Sequence, residues 1–397
     1  MHVLTHGLVR SLFQLVASGA PADLTAEERV LLRLARQDLR DEDVGFLRAQ
    51  SAIDWGKVAG LALRGGIAGL VESNLRHLGM GGVLRPLAMA SLHTEAANRL
   101  LLRETVAMCA HASALGAVLL PLKGIALIAA GLYSHPSFRS MCDVDLLCQT
   151  DRFEQVLGML RDRGFQETEY FAAQRDYYHH VALVKAIGNR NLLFELHWQP
   201  THGFYAYPEV VAGWFSRSRR VRTPEGELPS LSPTDLLLSV GIHLATHRFR
   251  DGLKWLVDIA EISRRWQTEI DWQQLWGDAR RLGAASALTF GFRMAVRLLD
   301  APISELPPPG LRERLGRRLS PDTALVRSEP QPDNLSRGLI NLLLYDNSRD
   351  GIRLLVHKAA EIAERNHINL RFLRWSRQRV ADKDGNPRAG SSRPASG

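Results

Sequence analysis

Cysteine is scarce in this chain, with only Cys109, Cys142 and Cys148 among 397 residues. Their positions form neither a disulfide framework nor a zinc-ligand spacing, which argues for a reducing cytosol. No apolar run reaches the length that spans a bilayer, so no membrane segment is expected. The stretch from Val3 to Ala20 is broken by His6 and Arg10 and has no strongly basic start, so it reads as a helix rather than a signal peptide. Internal repeats are missing, and no block of one charge sign dominates. Charged residues make up an ordinary 23%. Net charge is +8. That excess suits an anionic partner such as a nucleotide or nucleic acid, and equally an arginine-rich background.

What is present is a hydrophobic content of 45%, enough for a large core and two or three domains. Residues 1–115 read as helical. Thr25 and Glu28 make a capping box ahead of an apolar helix. Asp54 opens another helix, which Gly65 and Gly66 end. Ile67 to Leu78 and Pro86 to Leu115 continue the pattern at three- and four-residue spacing.

Residues 116–222 mix strands and helices. Leu119 to Leu122 reads as a short strand, Lys123 and Gly124 as a turn opening a helix, and Asp143 to Leu147 as a second strand. Asp151 to Gly164 reads as an amphipathic helix. Val181 to Lys185 and Asn191 to Trp198 read as a hairpin. Strand alternation puts Asp143 and Asp145 on one face of theirs. Two neighbouring carboxylates repel, and a divalent cation between them is the usual remedy. Glu195 and His197 share a face of the later strand, so Glu195 is a candidate third carboxylate and His197 reads as structural. The helix opened by Lys123 and Gly124 offers free N–H groups to a phosphate. Arg139 is a candidate phosphate clamp, or else the partner of the acidic strand.

Residues 223–376 read as helical again. Ser232 to Asp235 cap one helix, Leu253 to Trp266 form another, and Asp271 begins a third. Residues 302–334 read as a long loop or mobile lid, with helices after it at Gly338 to Leu344 and Ile352 to Trp375. Residues 377–397 read as a disordered tail. His243 and His247 have zinc-compatible spacing but no third ligand, so packing is preferred. Lys254 is a candidate for the nucleotide side, or else pairs with Asp258 four residues on. Arg248 and Arg250 join it as candidates, with a solvated face as the alternative. The tryptophans at 255, 266, 272 and 276 read as core. The basic run at 312–318 reads as a solvated loop.

The segments LKGIAL, R-x-x-x-D-V-D-L-L, ELHW, LSPTDLLL and LKWLVDIAEI, with His243, together resemble the uncharacterised nucleotidyltransferase family of bacteria, within the polymerase-β-like superfamily. The resemblance runs from about Asp54 to about Gly283. It implies an α+β fold, with a small mixed sheet backed by helices on one side and flanked by N- and C-terminal helical regions. It implies Mg²⁺-dependent transfer of a nucleoside monophosphate, AMP among the candidates, from an NTP to a hydroxyl or phosphate. Asp143, Asp145 and Glu195 would hold two Mg²⁺ ions, and Lys123 and Gly124 would take the place of the phosphate turn. That turn usually carries Gly-Gly or Gly-Ser; Ile125 stands here where a hydroxyl would be. The implied acceptor is a small molecule, a peptide or another macromolecule, with a small molecule or peptide preferred to tRNA, in a setting such as natural-product biosynthesis. The Lys-Gly opening also resembles toxin nucleotidyltransferases, some of which modify tRNA, and a catalytically silent binding protein on the same fold is a third reading.

Overall fold

The computed structural model describes residues 23–80, 85–168, 179–188, 190–200, 208–249 and 252–310, with 313, 316–317, 322–329, 340 and 345–346. The expectations for Val3 to Ala20, for Arg250, for most of 312–318, for the helices after Gly338 and for the tail lie outside those residues.

Among the described residues, the first elements are helices α1 (Ala26–Leu34), α2 (Asp41–Arg48), α3 (Trp55–Gly65), α4 (Ala68–His77) and α5 (Arg85–Ala114). Strand β1 (Leu119–Leu122) runs directly into α6 (Lys123–Ala129). Then come β2 (Asp143–Cys148), α7 (Phe153–Asp162), β3 (Gln166–Glu167), β4 (His180–Ile187), β5 (Arg190–His197) and α8 (Pro208–Ser216). A hairpin, β6 (Arg219–Thr223) and β7 (Gly226–Ser230), precedes α9 (Pro233–Thr246), α10 (Leu253–Arg265), α11 (Trp272–Arg281), α12 (Ala285–Leu299) and α13 (Asp322–Val326).

Local chemistry sets several of these boundaries. Thr25 and Glu28 form the expected capping box at α1. Asp54 caps α3 by accepting from the Lys57 N–H, and Gly66 ends that helix at φ 72°, a left-handed conformation that glycine adopts without strain. Ser232 caps α9, with Pro233 at its first position.

Five strands form one mixed sheet in the order β1-β2-β5-β4-β3. β2 and β5 are parallel, and every other neighbouring pair is antiparallel. Alternation sorts the side chains. Val144 and Leu146 of β2 and Leu192, Phe194 and Leu196 of β5 enter a core shared with Leu101 and Cys109 of α5 and Phe153 and Leu157 of α7. Full burial of a side chain such as Phe194 contributes roughly 1.5–3 kcal/mol.

Leu120, Leu122 and Leu147 belong instead to a second core that joins the early helices to α9, α10 and α12. The resemblance implies helices on one side of the sheet, but here they pack on both. The second face is covered because α9, apolar almost throughout, must bury most of its circumference.

Two further elements differ from the expectation. The β6–β7 hairpin is unanticipated because RRVRT offers one apolar residue in five, too little alternation to read as a strand. Within the stretch read as a loop, Asp322–Val326 is helical, with Thr323 to Val326 buried. Arg297 anchors its start through Asp322 at 2.5 Å.

Candidate functional site

The parallel register between β2 and β5 assembles the site. Asp145 lies opposite Glu195, Asp143 opposite Leu193, and Leu147 opposite His197. The β4–β5 register then sets His180 opposite His197. Asp143, Asp145, Glu195, His197 and His180 all line one cavity of about 420 Å³.

Asp145, only 3% exposed, is the centre of this group. Its Oδ1 lies 2.9 Å from His197 Nε2 and also accepts from the Lys123 ammonium. Glu195 Oε2 is 3.4 Å from His197 Nε2, and its Oε1 is 3.8 Å from His180 Nε2. Lys123 reaches Asp145 because Leu122 of β1 is the residue paired with it across the sheet. The turn from β1 into α6 holds Lys123 at φ 54°, a left-handed conformation that costs a non-glycine residue about 1–2 kcal/mol. The ammonium expected on a phosphate therefore sits among the carboxylates.

The charges shift one another. Burial would raise Asp145, but the Lys123 charge and the His197 hydrogen bond outweigh it and hold the carboxyl well below its usual range. Burial and the neighbouring Asp145 charge push Asp143 up. Burial lowers Lys123 and His197 less than their carboxylate partners raise them. His180, beside His197, is pushed down by burial to about 4.

Arg139 is 3% exposed and lies in the cavity wall, but its guanidinium is committed. Nε and Nη2 donate to Asp258 Oδ2 at 3.2 and 3.0 Å, and Nη1 donates to the Ser140 carbonyl at 3.1 Å. Its ion-pair partner is thus on α10, not on the acidic strand. Tyr133 donates to the other oxygen of Asp258 at 2.5 Å. Gly124 permits this arrangement, since a Cβ there would run into the Arg139 guanidinium and lie 3.2 Å from Met141 Sδ. Lys254 does not pair with Asp258; its ammonium donates to the Ser140 carbonyl at 3.3 Å. Burial and the Arg139 charge lower it.

The opposite wall comes from α9 and α10. His243, His247 and Trp255 pack ring against ring, with centroids 4.1–4.7 Å apart. Burial, with Lys123 nearby, drives His243 well below its ordinary value and His247 down to about 3. Lowered in this way, both are mainly neutral at pH 7, and their i, i+4 spacing brings both rings onto Trp255. Trp255, read as core, is buried but lines the cavity.

Asp143, Asp145 and Glu195 bring three carboxylates to the wall of one cavity. Among the described residues no ion pair or hydrogen bond reaches the Asp143 carboxylate, while Lys123 and His197 both serve Asp145. An anionic oxygen donor set with one carboxylate unmatched suits Mg²⁺. Among the described residues one group of three or more metal-ligating side chains has all its donor atoms within 4.8 Å of one another, and it is His180, Glu195 and His197. Sequence reasoning passed over His180 and took His197 as structural. The signal was the alternation of ELHW, which places His197 beside Glu195.

The fold and site define the class: an α+β protein with a carboxylate-lined cavity on one face of a mixed five-stranded sheet. Residues 51–300, more than half the chain, match the family described as uncharacterised nucleotidyltransferase, and the chain belongs to that family. It is also similar to the crystal structure of an antigenic nucleotidyltransferase-like protein from Paracoccidioides brasiliensis, at 16% identity and a TM-score of 0.34, over 51% of this chain and 94% of that one. No curated protein matches.

Proposed function

We propose that this chain moves a nucleoside monophosphate from an NTP to a hydroxyl or phosphate oxygen of a small-molecule or peptide acceptor, with Mg²⁺ required. The observation that carries the reading is the register of Asp145 against Glu195, with Asp143 two residues away on the same face. The family match supports the reaction class. The cavity volume supports small ligands, since such sites span roughly 300–1,000 Å³.

Asp143, Asp145 and Glu195 would hold the cation. Bound there, it would neutralise charge on the α-phosphate and lower the acceptor's pKa. The chain's own groups do the rest. Lys123, whose ammonium lies beside Asp145 in the cavity wall, would contact the phosphates. The acceptor oxygen attacks the α-phosphorus and the bond to the β-phosphate oxygen breaks. Pyrophosphate leaves in line. Where the acceptor is a hydroxyl, Glu195 takes its proton; a phosphate oxygen is already ionised. Arg139, fixed by Asp258, keeps positive charge in the wall without changing its own partner.

The test uses the full chain, an NTP labelled at the α-phosphate, and fractionated small molecules and peptides, with tRNA as a separate arm. Label passing to a small molecule or peptide with Mg²⁺ and not with EDTA supports the reading. Label passing only to tRNA contradicts the acceptor, and label passing to none contradicts the transfer.

A further inference from the structure

We propose that His180, Glu195 and His197 form a cation position of their own, suited to a borderline divalent ion such as Zn²⁺, Co²⁺ or Fe²⁺ rather than Mg²⁺. The proposal shares Glu195 with the transfer reading but does not depend on it, because it rests on donor type and geometry.

Three donors converge because the sheet brings them together. His180 and His197 are directly paired across β4 and β5, and Glu195 lies two residues before His197 on the same face. All three side chains are held on hydrogen-bonded strands rather than on loops, which fixes the spacing of their Cα atoms. Their donor atoms lie within 4.8 Å of one another, with Glu195 oxygens 3.4 Å from His197 Nε2 and 3.8 Å from His180 Nε2. An ion about 2.0–2.2 Å from each donor would draw them to roughly 3–3.5 Å apart, a small rotamer adjustment.

Donor chemistry decides which ion. Mg²⁺ takes oxygen ligands and keeps its waters. Two imidazoles and one carboxylate, with the remaining positions open, suit Zn²⁺, Co²⁺ or Fe²⁺. Asp145 Oδ1 lies 2.9 Å from His197 Nε2, at the edge of this group. The site would thus hold two unlike positions side by side, an oxygen-only one at Asp143 and Asp145 and a nitrogen-bearing one at the histidines, with Glu195 between them.

The test uses untagged full-length protein, stripped with a chelator and titrated with Co²⁺ in the absence of nucleotide. The expected result is one equivalent bound with visible ligand-field absorption, displaced by Zn²⁺ and retained in a thousandfold excess of Mg²⁺. His180→Ala should weaken Co²⁺ binding at least tenfold, and Asp143→Asn should leave it within threefold. X-ray absorption at the zinc edge of the Zn²⁺-loaded wild type should show two imidazole ligands, and it decides the matter even if His180→Ala does not fold. An oxygen-only zinc environment, no Co²⁺ binding, displacement by comparable Mg²⁺, or loss in Asp143→Asn with His180→Ala unaffected would each overturn the proposal. Failure here leaves Mg²⁺-dependent nucleotide binding intact, so the two readings fail separately.

Discussion

Arg139 and Asp258 form a buried ion pair that ties the loop ahead of the acidic strand to α10. Both side chains are at most 4% exposed, and one carboxylate oxygen accepts two guanidinium N–H groups at 3.0 and 3.2 Å. Tyr133 occupies the other oxygen. Removing one member of such a pair leaves an unpaired buried charge, which costs about 3–5 kcal/mol. Asp258→Ala should therefore lower unfolding stability by that amount in urea titration. Arg139 would also lose its anchor in the cavity wall. A loss under 1 kcal/mol would mean that Arg139 finds another partner.

Lys123 stands where a cation is wanted. Its ammonium serves Asp145, which an added divalent ion must take over. Lys123→Met should tighten Mg²⁺ binding on the order of tenfold, by removing the competing charge, and weaken NTP binding by removing a phosphate contact. Separate calorimetric titrations of the ion and the nucleotide read the two effects. Weakening of both would show that Lys123 organises the carboxylates rather than competing for them.

The neutral histidines give the protein an acid-side weakness. His180 and His247 sit at about 4 and about 3, below the ordinary 6.5, because burial excludes their charge. The unfolded chain takes up protons below pH 6.5 while these folded sites do not, so stability falls as pH drops from about 6.5 toward 4. His197 works the other way: raised by its carboxylates, it contributes stability below pH 6.5 that is lost as pH rises through its folded value. His247→Gln should flatten the acid-side slope by about 1.4 kcal/mol per pH unit. Thermal unfolding across pH 4–7 measures it. An unchanged slope would show that His247 protonates freely in the fold.

The acidic strand, the helix caps and the long α5 were legible in the sequence because each rests on a short-range rule: alternation, an oxygen placed to accept an N–H, or apolar spacing. The approach of Glu195 to Asp145 was conditional, since alternation fixes which face a side chain takes but not which strand lies alongside. That the pair is parallel, joined across the intervening elements, is a tertiary fact. Lys123 was read from its helix N-terminus, and nothing local shows that β1 lies antiparallel to β2 and delivers it to Asp145. For Lys254, a candidate for the nucleotide side, helical spacing offered Asp258 as the alternative partner. Arg139, delivered by a loop more than a hundred residues away in sequence, takes Asp258, and Lys254 turns to the Ser140 carbonyl.

The central claim is that the carboxylate face binds an NTP through a divalent cation. The most direct measurement is calorimetric titration of each of the four NTPs with and without Mg²⁺, on wild type and on Asp143→Ala/Asp145→Ala. The account predicts binding that needs Mg²⁺, prefers one base, and is lost in the double variant while its thermal unfolding stays cooperative. Well-folded wild type that binds none of the four, or binding that survives in the double variant, would contradict it.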